Sequence, residues 1–199
     1  YPESIRLTVI QPSGTKALLS QSTPGGHPGF SRYYIRRIRF DANDPLIKTL
    51  RNNHYHIEPE IKFDGSINHD LLIVEFPCKL HDRTLIAEDC GAIRQLNMMK
   101  DLQKYWADQS VSITVYYTDK EIDDIKKWLK ENYNNGVKSV SFIKHQEHGF
   151  KQAPYEKISE EEYNQKISRI QLCKISDIIE SGEYGSKLLE GLECTNGSC

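Results

Sequence analysis

Two stretches of this chain have residue types and spacing suited to chemistry. The first is Pro12-Ser13-Gly14-Thr15-Lys16, which follows the apolar run Ile5 to Ile10 and precedes Ala17-Leu18-Leu19. Read as a strand-to-helix loop, it offers an anion free backbone N–H groups and the positive end of a helix dipole. Gly14 lets a ligand approach the backbone, Ser13 and Thr15 add hydroxyl donors, and Lys16 can add charge. The same residues also suit a plain connection in which Ser13 or Thr15 caps the helix. The second stretch is the terminal pair Cys194 and Cys199. Four residues separate them, Gly197 included, so the sulfurs can meet as a disulfide. A mobile polar stalk before them could carry a dithiol to a distant target for thiol–disulfide exchange. Half of a zinc site and two unrelated surface thiols are the competing readings, but no nearby histidine or third cysteine completes a zinc site.

Other chemically capable residues read more plainly. Arg32 to Phe40 mixes arginines with aromatics, which suits nucleic acid or a half-buried element whose arginines pair with carboxylates. The slightly acidic net charge of −2 favours the second reading. The seven histidines are scattered without a ligand motif, so no metal site is expected. Cys78 and Cys90 fall within strand and helix patterns and read as packed thiols.

The elements that must position these residues follow from periodicity and breakers. Residues 5–10 read as a buried strand, and Ser22 to Gly29 as a loop. Residues 32–40 admit either strand or helix. Asp44-Pro45 starts a helix running to about Asn52. Ile57–Phe63 and Leu71–Phe76 flank Asp64-Gly65 as a hairpin or strand pair. Ile86 to Ala107 reads as one long helical stretch, with Ile93, Leu96, Met99, Leu102 and Trp106 as its buried stripe. Val111–Tyr117 alternates as a strand, Asp119 caps the helix after it, and Asn134-Asn135-Gly136 stops that helix. Val137–Ile143 is the next strand, so the segment forms a βαβ unit with parallel strands. Residues 145–157 read as irregular and Glu160–Ile170 as a weak helix.

Bulk properties narrow the class. A chain of 199 residues can bury a core, and 38% hydrophobic content suits a globular protein. No apolar run spans a membrane and no signal region opens the chain. Five irregularly spaced cysteines fit a reducing, cytoplasmic setting better than a secreted disulfide framework. Starting at Tyr1, close to an apolar run, the chain reads as a piece of a longer protein or a processed mature form.

Together these segments resemble the C-terminal part of a ribonucleotide reductase of the adenosylcobalamin-dependent class. Ile10-Gln11-Pro12-Ser13-Gly14-Thr15 resembles the family loop that holds the substrate phosphates. Ser22-Thr23-Pro24-Gly25-Gly26-His27-Pro28 and Tyr33 to Arg39 resemble the segment after it. Trp106 to Ser112 and Gly136 to Phe142 are similar to two late barrel strands and their entries. The tail from Cys194 to Cys199 resembles the redox tail of the monomeric triphosphate reductases. Iron-dependent relatives carry paired tyrosines where this chain reads Ser141-Phe142, so a locally generated radical fits better.

The resemblance implies an α/β fold: the later strands of a ten-stranded barrel over residues 1–170, and a flexible redox tail over 171–199. It implies an oxidoreductase that reduces ribonucleoside triphosphates through a thiyl radical. Ser13, Gly14, Thr15 and Lys16 would hold the substrate, and Cys194 and Cys199 would be the dithiol restored by thioredoxin. Adenosylcobalamin would be bound by the full-length enzyme, and the radical cysteine would lie upstream, so this chain alone is expected to be inactive. Nucleic acid and membrane are not expected partners. A diphosphate-using reductase of the same class is the nearest alternative, and a non-catalytic nucleotide- or RNA-binding module the next.

Overall fold

Three extended segments run side by side in the same direction, and this sets the end at which the Ser13 loop leaves the sheet. The computed structural model describes residues 3–13, 16–19, 22–144 and 151–173. In chain order its elements begin with α1 (Lys16–Leu19), β1 (Tyr33–Asp41), α2 (Pro45–Asn52), β2 (Ile57–Ile61) and β3 (Ile67–Lys79). There follow α3 (Ala87–Cys90), α4 (Ala92–Tyr105), β4 (Thr114–Tyr117) and a 3-10 turn at Asp119–Glu121. The last are α5 (Ile122–Asn132), β5 (Ser141–Lys144), β6 (Tyr155–Lys157) and α6 (Glu160–Ile167). They form two compact units: Tyr1–Arg32 with Leu80–His148, and Tyr33–Lys79 with Gly149–Cys199.

In the first unit, Ile10 bridges Val111 in parallel, and Ser112 donates its N–H to the Ile10 carbonyl at 2.9 Å. β4 pairs in parallel with β5, Thr114 opposite Ser141. The expected strand–helix–strand unit is therefore present, with α5 as the crossover. Leu96 and Met99 of α4 pack with Val111, Ile113, Val115, Ile125 and Trp128 into one core. Each fully buried side chain of that size contributes about 2 kcal/mol.

Several local expectations change. Residues 5–10 are not a buried strand: Ile5 is 94% and Leu7 78% exposed, and only Ile10 bridges. Side-chain and loop bonds hold this segment instead. Asp108 accepts from the Leu7 and Thr8 amides, and Gln109 N–H donates to the Thr8 carbonyl. The helical stretch from Ile86 is two helices, because Gly91 takes a φ of +60° between α3 and α4. Trp106 falls outside the buried stripe: its φ of −129° ends α4, and Ala107 takes the buried place. Thr118, not Asp119, starts the next helical segment through a capping box with Glu121. β4 and β5 are also shorter than their apolar runs.

Glu121 does more than cap its own turn. It also accepts from the Ala92 N–H at 2.7 Å, placing a carboxylate at the N-terminus of α4. Burial pushes its pKa up, but bonds from the Ala92 and Thr118 amides and the Thr118 hydroxyl outweigh this and hold it low.

The second unit is an antiparallel sheet in the order β2-β3-β1-β6. The basic-aromatic stretch is its strand β1, and Asp44 caps α2 as its Asp-Pro signal implied. The hairpin around Asp64-Gly65 is present as β2–β3. Ile47 and Leu50 of α2 cover Val74. Arg37 and Lys166 both bind the buried carboxylate of Glu75, at 2.7 and 2.9 Å. Burial raises the Glu75 pKa, but these two cations outweigh it and leave it lowered.

Two predictions follow from this packing. Glu121→Gln in the intact protein should cost about 1 kcal/mol, read as faster amide exchange at the start of α4. Unchanged exchange there contradicts the cap. Glu75→Gln should cost about 3 kcal/mol because it leaves two cations facing an uncharged buried group. Arg39→Gln, whose side chain is 63% exposed, should cost under about 1 kcal/mol. Because the folded pKa of Glu75 is depressed, its contribution is complete above the ordinary carboxylate range. It is lost as pH falls through the folded value. Equal losses for the two variants at neutral pH contradict the buried network.

Candidate functional site

The Ser13 loop leaves the first unit just after the Ile10–Val111 bridge. Ser13 anchors the turn into α1: its carbonyl accepts from Lys16 N–H at 3.2 Å, and its hydroxyl oxygen accepts from Ala17 N–H at 3.1 Å. Ser13 and Lys16 are exposed, whereas Ala17 is buried and fixes the helix to the unit. With only four residues, α1 carries little macrodipole, and its first two amides, those of Lys16 and Ala17, are bonded to Ser13. Gly14 and Thr15 lie outside the described residues.

A second segment reaches the same loop. Gly25 has a φ of +60°, and a Cβ there would lie 2.7 Å from the Gln11 carbonyl oxygen and 3.4 Å from the Pro12 nitrogen. The turn at Pro24–His27 therefore rests on the backbone that enters the loop. His27 ties that turn to the sheet, bonding the Pro24 carbonyl through Nδ1 at 2.8 Å and accepting the Thr114 N–H at Nε2 at 2.9 Å. An amide only donates, so Nε2 accepts and the ring proton sits on Nδ1. Among seven scattered histidines, His27 is marked in the sequence by its place in Gly25-Gly26-His27-Pro28.

Cys194 and Cys199 lie outside the described residues, as do His145 and His148. Among the described residues, Cys78, Cys90 and Cys173 are not paired in disulfides. Burial pushes up the pKa of Cys78 and of Cys90, so both stay protonated and weakly nucleophilic. Arg37 binds Glu75 and Glu156, Arg39 binds Glu60, and Arg36 lies over the Tyr155 ring. The arginines of β1 are thus engaged with carboxylates and an aromatic ring. On β5, Ser141 sits opposite Thr114, and Phe142 packs edge-on against Tyr117 at 6.2 Å between centroids. Among the described residues, no group of His, Cys, Asp and Glu could hold a metal ion, and no helix is long and apolar enough to cross a membrane.

Comparison with known proteins agrees with this layout. Residues 4–143 match the family model for the ribonucleotide reductase barrel domain. The chain is 34% identical over 200 residues to the adenosylcobalamin-dependent ribonucleoside-triphosphate reductase of Lacticaseibacillus paracasei, covering 96% of this chain and 26% of that protein. It is 40% identical over 173 residues to a probable adenosylcobalamin-dependent ribonucleoside-triphosphate reductase of Dictyostelium discoideum, covering 85% of this chain and 22% of that one. The crystal structure of a B-12 dependent (class II) ribonucleotide reductase superposes with a TM-score of 0.73 at 29% identity, over 86% of this chain and 24% of that one. The chain thus spans about a quarter of the length of these relatives. With parallel strands where the resemblance required them and a family match running through most of its length, this chain belongs to the ribonucleotide reductase family and carries part of its barrel domain.

Proposed function

We propose that this chain is the C-terminal part of an adenosylcobalamin-dependent ribonucleoside-triphosphate reductase, supplying the substrate-phosphate loop and the dithiol that re-reduces the active site. The observation that carries the reading is the similarity to reductases of that name along nearly the whole chain. The loop reading is supported by the placement of Ser13 and Lys16 beyond a parallel sheet position, the end at which α/β folds bind ligands. There Ser13 to Lys16 would bind the polyphosphate and hold the ribose at a fixed depth, and such positioning supplies much of the rate.

The residues of β5 fit a cofactor that acts close to the substrate. Neither Ser141 nor Phe142 can relay a tyrosyl radical along the strand. When bound to the full-length enzyme, adenosylcobalamin supplies the initiating radical. Cys194 and Cys199 would reduce the disulfide left by turnover, through attack of one thiolate on it. Electrons would return to them from thioredoxin. The half-buried thiol of Cys78 and the buried thiol of Cys90 take no part in this scheme.

The tests use the full-length protein. Cys199→Ser should leave one turnover intact and abolish repeated turnover with thioredoxin and its reductase. Equal loss of both contradicts the shuttle. Gly14→Val should weaken nucleoside-triphosphate binding about tenfold by crowding the phosphates; unchanged affinity moves the phosphate site elsewhere.

A further inference from the structure

We propose that His27 is a positioning residue for substrate binding: it clamps the Pro24–His27 turn to β4, and that turn seats the backbone entering the phosphate loop. The proposal rests on the reading of residues 13–16 as the phosphate loop; the contacts it is argued from, among Ile10 to Pro12, Pro24 to His27 and Ser112 to Thr114, all lie in the first unit.

Each link is a direct contact. β4 begins at Thr114, whose N–H donates to His27 Nε2. The other ring nitrogen holds the Pro24 carbonyl, and the turn is closed by the His27 N–H to the same carbonyl at 3.2 Å. Next to Pro24, Gly25 approaches Gln11 and Pro12 so closely that no side chain fits between them. Gly26 is buried, and a Cβ there would meet Leu102 at 3.1 Å. Ser112 N–H fixes the Ile10 carbonyl. Gln11 is therefore set between a strand position held by the sheet and a turn tied to β4 by one imidazole, with Gly29, two residues on, bonded to the Leu85 carbonyl and the Ala87 N–H.

Thr114 N–H is spent on the ring rather than on backbone. His27 thus takes the place of a strand neighbour at the start of β4. A side chain that lacks an acceptor there leaves a part-buried amide unpaired and removes the tie between the turn and β4, while the Gly29 bonds still hold the segment after it. Positioning error at Gln11 then passes to Ser13 two residues later. The consequence falls on nucleotide binding before it falls on the chemical step.

The test compares variants in the full-length enzyme. His27→Ala should raise KM for the nucleoside triphosphate about tenfold with kcat changed less than about twofold, the scale of one part-buried hydrogen bond. His27→Gln, whose amide oxygen reaches the place of Nε2, should restore most of the loss. His27→Asn, which reaches only the place of Nδ1, should behave like alanine and serves as the second variant if alanine does not fold. Selective 15N-histidine labelling should show Nδ1 protonated and Nε2 bare in the wild type. A merely structural role lowers the folded fraction, and so kcat, at unchanged KM; that result, or a glutamine variant no better than alanine, overturns the proposal. Wild-type protein that turns over no nucleoside triphosphate overturns the loop reading instead. Wild-type turnover with unmoved KM in all three variants overturns only the role of His27.

Discussion

The parallel alignment of Ile10 with Val111, and of β4 with β5, is the constraint on which the site depends. Parallel neighbours cannot be joined by a tight turn, so each strand must return through a crossover before the next begins. The connections that follow parallel strands then leave at the same end. The loop after Ile10 and the capped turn after β4 are both such connections. One apolar core under α4 and α5 holds the strands to that geometry. The helix that follows the loop after Ile10 is short: α1 has only four residues.

Polar contacts refine what the core sets roughly. Asp108 gathers the amides of Leu7 and Thr8, and Glu121 gathers those of Ala92 and Thr118. In each case one carboxylate satisfies donors from two separate stretches or from an irregular one, where backbone pairing is missing. Both carboxyl groups are held below their ordinary pKa, Asp108 chiefly by the Leu7 amide, so they stay charged and keep these joints closed at neutral pH. His27 does the same work with a neutral ring, donating at one nitrogen and accepting at the other.

Local signals in the sequence translated well into structure. Asp44-Pro45 started α2, the Asp64-Gly65 turn joined β2 to β3, and the strand–helix–strand spacing produced a parallel pair. These features depend on a few neighbouring residues. Long-range ones were not legible. Hydrophobicity at Ile5 and Leu7 says what those side chains favour, not what covers them. Trp106 kept the helical period, yet the chain leaves the helix one residue earlier. The partner of His27 lies 87 residues further on, and no periodicity encodes that pairing. The family was readable from residue types. The bonds of His27 to Pro24 and Thr114 required coordinates.

The most direct measurement is a crystal structure of the full-length protein with a nucleoside triphosphate bound. The account predicts phosphate oxygens within about 3 Å of the backbone amides and hydroxyls of residues 13–16, with the Gly25–Gln11 contact intact. Phosphates bound elsewhere in the barrel, with residues 13–16 facing solvent, would contradict it.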